Sequence, residues 1–472
     1  MEIKDLSHLN PDQKIEFILL QAEQINLQKE RIARLEAQIK VLKERKAKNS
    51  RNSSKPPSSD QNKHKRTESL REKSNKKQGG QPGHKGHCLE TVKEPDEIKS
   101  HTISHCADCG YQLNKRADSI DIRQVFEIPD PEMWVIEHQT DIKECRNCGC
   151  TNKADFPTDA TQKTQYGPKA KALMVYLNQY QLLPYKRIKF LFKDIFNHKI
   201  SSATIFNAAN ESAHMVTNIE AKIKELLVKE PILTVDETGM NISGNKHWMH
   251  VASSGKLTHY GIHKKRGCQA MDEIGVLPKY KGITVHDHWN SYFKYNHVRH
   301  ALCNAHHLRE LKFVYKVQGF KWAKRMSDLL VEIYKSRKDV KVKGQNSFDT
   351  ITIASFTKRY QEILDFGKCE QAVRGTNDSK NLLNRLDINR KETLLFMNNF
   401  EVPFSSNRAE QDIRMAKVQQ KITGGFRTKK GADNFASNRT ITSTAIKNGK
   451  NVLKIFQWLF QGRLTFNRLV PA

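Results

Sequence analysis

The chain has 472 residues, enough for about three domains of ordinary size. Its 80 Lys and Arg against 51 Asp and Glu leave a formal charge of +29, which predicts attraction to a polyanion, nucleic acid first. No apolar run approaches the ~20 residues that cross a bilayer, the first residues lack the basic-then-apolar layout of a secretory signal, and nine cysteines are too few for a disulfide scaffold; a soluble cytoplasmic protein without a membrane partner is expected.

Residues 10–47 read as one helix, opened by Pro11 and Asp12. Ile18, Ile25, Ile32 and Ile39 recur every seven residues, with Leu35 and Leu42 at the matching d positions and Gln21 and Gln28 at the earlier ones. Ile at a with Leu at d favours a parallel two-stranded coiled coil. Residues 1–48 are therefore read as a dimerisation zipper, and a homodimer is expected. The alternative is an amphipathic helix packed on its own protein.

Residues 49–100 lose the apolar period and read as a flexible basic tether. Between Lys43 and Lys85, 14 Lys or Arg stand against 4 Asp or Glu. Breaker-rich stretches interrupt them, one at Asn52-Ser53-Ser54-Lys55-Pro56-Pro57 and another at residues 79–87. Such a tether can neutralise phosphates without reading sequence. The alternative is a solubilising linker.

Residues 101–152 carry two knuckles, Cys106-Ala107-Asp108-Cys109-Gly110 and Cys145-Arg146-Asn147-Cys148-Gly149. Thiolates of Cys106, Cys109, Cys145 and Cys148 would close a tetrahedral structural Zn²⁺ site, a zinc ribbon with no open position for catalysis. Cys150 is a substitute ligand. The long spacer between the knuckles predicts an inserted hairpin, with strands at 124–128 and 134–138. Residues 160–230 read as helical: one segment at 169–183, a second at 184–196, and a third opening at Ser201 after a short turn. Two helices about a tight turn resemble a helix-turn-helix that binds DNA; plain helix packing is the equal alternative.

The run Ile232-Leu233-Thr234-Val235 reads as a buried strand ending on Asp236, with a turn at Gly239. Ile283-Thr284-Val285-His286 repeats the design and ends on Asp287. Residues 246–252 and 258–262 alternate as strands do, and 269–277 is helix-like. Strand–strand–strand–helix–strand, with acids ending the first and fourth strands, is the layout of a ribonuclease H-like α/β core. It spans residues 231–472, with a helical insertion at about 314–400. The fold class is thus multidomain α+β: coiled coil, zinc ribbon, helical module and ribonuclease H-like core.

A lone Asp at a strand end more often just starts a turn. Two of them, with a third acid from a downstream helix, make a metal site instead. Carboxylate oxygens suit hard divalent cations, and two close cations can clamp the attacking and leaving oxygens of a phosphoryl transfer. The third acid is Glu410, behind Asn407 as N-cap, with Asp412 as the fallback. Arg414, Lys417 and Lys421 follow on the face of Glu410 and suit phosphates. Cys303-Asn304-Ala305-His306 is half a zinc site with no second half in view. It reads as packing that orients the site, with His306 within reach of the scissile phosphate.

In the order of these modules the chain resembles the insertion-sequence-sixty-six family of bacterial DDE transposases. The resemblance is carried by the zipper, Asn52 to Pro57, residues 79–87 and the four-Cys ribbon. It continues through Asp236-Glu237-Thr238, His286-Asp287 with Trp289 and Tyr292, and Cys303-Asn304-Ala305-His306 with Arg309. Its last parts are Asn407-Arg408-Ala409-Glu410, Arg414, and Gly424-Gly425-Phe426-Arg427. It implies Asp236, Asp287 and Glu410 as a catalytic triad holding two Mg²⁺ ions, supported by His306, Arg309 and Arg414. It implies DNA contacts at Arg266, Lys417, Lys421 and Arg427. The expected activity is cleavage at terminal inverted repeats and joining to target DNA, with double-stranded DNA and accessory proteins of the same element as partners and the nucleoid as location. The rivals are a hydrolytic nuclease of the same core and a DNA-binding regulator whose core is not catalytic.

Overall fold

A computed structural model describes residues 10–49, 52–53, 83, 89–374 and 376–471. Most of the basic tether, with all of its Gly-rich 79–87 stretch but Gly83, lies outside the described residues.

The first helix, α1 (Pro11–Ala47), opens on a reciprocal cap. Gln13 donates its N–H to the Asn10 side chain at 2.8 Å, and the Gln13 side chain accepts the Asn10 N–H at 3.1 Å. No residue of α1 is buried, and Ile18, Ile25, Ile32, Leu35, Ile39 and Leu42 are all exposed. Among the described residues nothing packs along the length of the helix; its end is tied down, where Lys48 pairs with Asp378 at 2.7 Å and Gln318 donates to Glu44 at 3.2 Å.

Each Cys knuckle folds as its own turn. The Gly110 N–H donates to Cys106 O and the Gly149 N–H to Cys145 O, with both glycines at positive φ, 69° and 71°. Strands β1 (Ile142–Glu144) and β2 (Thr151–Lys153) flank the second knuckle and pair antiparallel. The hairpin predicted at 124–128 and 134–138 does not form. Val125 and Val135 are 87% and 93% exposed, so neither alternating run has a surface to pack against, and an isolated hairpin is marginal in water.

The helical module holds α2 (Pro168–Val175), continued by a π-turn at Tyr176–Tyr180, and then α3 (Tyr185–Phe196), α4 (Ser202–Met215) and α5 (Thr217–Lys229). Asn197 ends α3 in the left-handed conformation, and the Ser201 side chain caps α4 through the Thr204 N–H.

A five-stranded sheet follows. It is built from β3 (Ile232–Ile242), β4 (Asn245–Ser253), β5 (Thr258–His263), β6 (Ile283–His286) and β7 (Arg299–Leu302), in the order β5-β4-β3-β6-β7. The first three strands are antiparallel, and β6 and β7 run parallel to β3. The short α6 (Cys268–Ile274) makes the crossover into β6. The strand predicted to end at Asp236 runs on to Ile242. Antiparallel β4 follows it the whole way, which holds Gly239 in the ladder opposite Trp248.

Beyond β7 come α7 (Asn304–Lys316), α8 (Lys321–Val342), α9 (Thr350–Arg374) and α10 (Asn377–Ile388). The chain then returns to the sheet with α11 (Asn407–Thr423), α12 (Lys429–Lys447) and α13 (Val452–Phe460). The outer edge of β5 is closed by α12. Thr440 and Thr444 hydroxyls accept the N–H groups of Tyr260 and Thr258, which keeps that edge from pairing with another chain. One core lies between α2–α5, the sheet and α12–α13, around Phe192, Val235, Ile441 and Phe456. A second fills the helices after β7, around Trp322, Tyr360 and Phe400, and reaches Val285 of β6. A third packs α11 and α12 on the sheet through Met249, Tyr260, Ile413 and Phe435.

Candidate active site

Asp236 sits where the sheet splits. The pairing of β6 with β3 stops at Thr234 and Val285, while β4 continues beside β3. Two residues past that last pair stand Asp236 on one chain and Asp287 on the other. Side chains two apart on a strand share a face. Asp287 leaves β6 in an Asx turn, its Oδ1 accepting the Trp289 N–H at 2.9 Å. Asp236 Oδ1 accepts the Glu237 N–H at 2.9 Å.

Glu410 arrives on the first turn of α11, which lies across β3 and β4. A helix N-terminus favours negative charge there. The predicted N-cap moves by one residue: Asn407 is already helical, and Ser406 precedes the helix without a side-chain cap bond. Ser406 is held instead through its backbone. Its N–H donates to Cys303 Sγ at 3.2 Å, and its carbonyl accepts the Glu410 N–H at 3.2 Å.

The electrostatics join these acids. The Asp236 carboxyl is half-buried by surface, yet ringed closely by protein. Burial, then the charge of Glu237, lifts it well above the usual carboxylate range; His306 opposes the shift, while Glu410 and Asp287 add to it. Among the described residues, the ion pairs at this end of the sheet fall on Glu237 and Glu410, and none falls on Asp236 or Asp287. A crowd of carboxylates short of positive charge, all offering hard oxygen donors, fits a divalent cation.

Arg309 and His306, both on α7, converge on Glu410. Arg309 Nη2 donates to Glu410 Oε1 at 3.0 Å, and His306 Nε2 stands 3.6 Å from the same oxygen. Burial pushes the Cys303 thiol up, but the neighbouring His306 more than offsets this and leaves it lowered. Burial likewise lowers His306, and the charge of the neighbouring Cys303 outweighs it, raising the imidazole to about 9.

A second support lies under Asp287. Asn304 donates through Nδ2 to Thr393 O at 3.0 Å, so its Oδ1 faces His307 Nδ1 at 2.9 Å as an acceptor. His307 must then donate from Nδ1 and accept at Nε2, where His288 Nδ1 lies at 2.9 Å. Burial holds both rings neutral, His307 at about 3 and His288 at about 2. Beside His288 opens a cavity of about 870 Å³, lined also by Lys48, Asn290, Phe293, Arg385 and Asn389.

Glu237 was not singled out as a site residue in the sequence. Its side chain is 2% exposed, and Arg266 Nε donates to Oε1 at 2.8 Å while the Tyr292 hydroxyl donates to Oε2. The guanidinium of Arg266 lies 4.1 Å from the Trp289 ring centroid and 4.9 Å from that of Trp248. Arg266, expected on DNA, is thus bound to a buried acid that directly follows Asp236. The signal was the second carboxylate in Asp236-Glu237, together with Trp289 and Tyr292.

The other basic positions divide. Arg414 and Lys421 are exposed on α11, and Arg427 is exposed after it. Lys417 is half-buried and donates Nζ to Gly239 O at 2.6 Å, locking α11 to β3. Asp412 points the other way. It pairs with Lys447 at 2.8 Å and accepts from Ser253 Oγ at 2.7 Å, away from the triad.

In the ribbon, backbone N–H groups of Cys109 and Asp108 lower the Cys106 thiol, and those of Asn147 and Cys148 lower Cys145. Those same N–H groups would steady a zinc-bound thiolate. Among the described residues, however, the one set of three metal-type donors within 4.8 Å of one another is Cys303, His306 and Glu410; the ribbon thiols stand farther apart, and so do the carboxylate oxygens of Asp236, Asp287 and Glu410 as a set.

Comparison with known families adds what geometry alone does not. Residues 163–434 match the Transposase IS66 family, and residues 104–149 match the zinc-finger binding domain of transposase IS66. Residues 10–90 match a family of unknown function. No curated protein matches the chain.

Proposed function

The chain belongs to the IS66 transposase family, and on that premise we propose that it cuts DNA at the ends of an insertion sequence and joins them to a target. The proposal rests above all on the placement of Asp236 and Asp287 two residues past the last β3–β6 pair, with Glu410 on the first turn of the helix that packs on β3; Asp287 and Glu410 both raise the Asp236 carboxyl. The strand order, three antiparallel strands with two parallel ones beside the first, agrees with a ribonuclease H-like core.

In this reading Asp236, Asp287 and Glu410 hold two magnesium ions. When bound, these supply an activated water or hydroxyl and neutralise charge on the leaving oxygen. The chain does the rest. Arg309 and His306 aim Glu410, and the Asn304–His307–His288 chain steadies the loop of Asp287. Arg266 offsets the charge of Glu237 under the site. Arg414, Lys421 and Arg427 take phosphates, and the cavity beside His288 gives room for a nucleotide.

The remaining modules bring the DNA and a second copy. The chain divides at about residues 48, 100, 152 and 230 into zipper, tether, zinc ribbon, helix-turn-helix-like module and core. The exposed Ile and Leu seam of α1 pairs with the same seam of a partner chain. The ribbon, tether and helical module hold terminal-repeat DNA.

A strand-transfer assay with the element's end sequences and a plasmid target tests this. Wild-type protein with Mg²⁺ should give a joined product, and Asp236→Asn should bind the ends yet lose joining by at least about a thousandfold. Cleavage without joining would make the protein a nuclease, and full activity in Asp236→Asn would remove that residue from the chemistry.

A further inference from the structure

Cys303 and His306 are spaced as half a metal site, and neither is a ligand in the ribbon or in the acid triad. The fold brings them a third donor. Cys303 Sγ, a ring nitrogen of His306 and a carboxylate oxygen of Glu410 lie within 4.8 Å of one another. The His306 Nε2 to Glu410 Oε1 distance is 3.6 Å. Zinc bonds of about 2.0–2.3 Å set tetrahedral donors about 3.3–3.8 Å apart, so shifts of no more than about 1.5 Å complete the set.

The surroundings are those of a built site. Cys303 is buried, and its sulfur already accepts the Ser406 N–H at 3.2 Å, the kind of outer bond that steadies a metal thiolate. His306 Nδ1 is a buried ring nitrogen without a hydrogen-bond partner among the described residues. A thiolate and a carboxylate would neutralise a dication, and the His306 imidazole, releasing to solvent the proton that Cys303 favours on it, supplies the third bond. Sulfur and imidazole select zinc-like cations and reject magnesium. Arg309 is the competitor, since it holds Glu410 Oε1 at 3.0 Å. A cation here therefore displaces Arg309 from Glu410.

We propose that Cys303, His306 and Glu410 form a second divalent-metal site, selective for zinc-like ions, whose filling withdraws Glu410 from Asp236 and Asp287. Zinc then acts as an inhibitor of the magnesium-dependent reaction. That consequence rests on the function proposed above; the site itself does not.

The test uses the full chain with its ribbon already loaded with zinc. Cobalt(II) is titrated in, and the near-ultraviolet sulfur-to-cobalt absorption counts thiolate-bound equivalents. Wild type should take up one more such equivalent than Cys303→Ser. Glu410→Gln, a change on a partly exposed helix turn, should weaken that uptake on the order of tenfold or more. Equal uptake by wild type and Cys303→Ser overturns the site. If Cys303→Ser does not fold, unchanged affinity in Glu410→Gln overturns it instead. In the strand-transfer assay, added zinc should suppress joining that magnesium supports. A protein that never joins DNA fails the functional reading while the cobalt count still judges the site; joining that ignores zinc at a filled site removes the inhibition.

Discussion

Glu410 and Asp412 lie two residues apart on α11 and serve different ends. Glu410 faces Arg309, His306 and the aspartates, whereas Asp412 is enclosed with Lys447, Ser253 and Thr258. Breaking a buried pair from one side strands the other charge, so Asp412→Asn should cost about 3–5 kcal/mol of stability. It should leave magnesium binding intact, and calorimetry beside a denaturant melt separates the two effects. Asp236 gives a prediction of the opposite kind. Its folded carboxyl is raised well above the unfolded value of about 3.9. Between those values the folded state holds the extra proton, so this contribution is full at low pH and is lost as pH rises. Without added magnesium, melting temperature should therefore fall from about pH 4 upward, and Asp236→Asn should flatten the slope. An unchanged slope in the variant would show that Asp236 is not the buried acid. The sequence made the three acids visible because each follows a β-branched run or opens a helix. It hid the bonds made through space: the grip of Arg266 on Glu237, and the third donor that Glu410 gives to Cys303 and His306 from far downstream.

At the scale of elements, strands β4, β5 and β6 were legible from short alternating or β-branched runs. The end of β3 was not. Gly239 reads as a turn residue, yet the partner strand β4 carries the ladder to Ile242, and the true turn falls at Ser243-Gly244, both at positive φ. The paired glycines after α11 have a local cause. A Cβ on Gly425, whose φ is 138°, would meet Asn241 O at 2.7 Å, where the loop's Phe426 N–H donates to that same carbonyl. The predicted hairpin in the ribbon failed for the reverse reason. Alternation alone has no energy without a surface to cover. The same point applies to α1, whose apolar seam is left exposed among the described residues. Ile25→Lys with Ile32→Lys should turn a dimer into a monomer by light scattering and leave the melting of the core unchanged. A mass that stays dimeric would move the interface away from α1.

At the scale of the molecule, one charge imbalance appears twice. The chain as a whole carries +29, while the crest of its sheet gathers acids with too few cations among them. The basic excess draws a polyanion in, and the acid cluster needs divalent ions before phosphates can approach it. No helix among the described residues is long and apolar enough to cross a membrane. The account depends on Asp236, Asp287 and Glu410 sharing bound metal. Iron(II) in place of magnesium, with a reductant and peroxide, cuts the backbone next to wherever the metal sits. Cuts beside residues 236, 287 and 410 together, all suppressed by excess magnesium, are the predicted result. Cuts near 236 and 287 with none near 410, or cuts that magnesium does not suppress, would contradict the account.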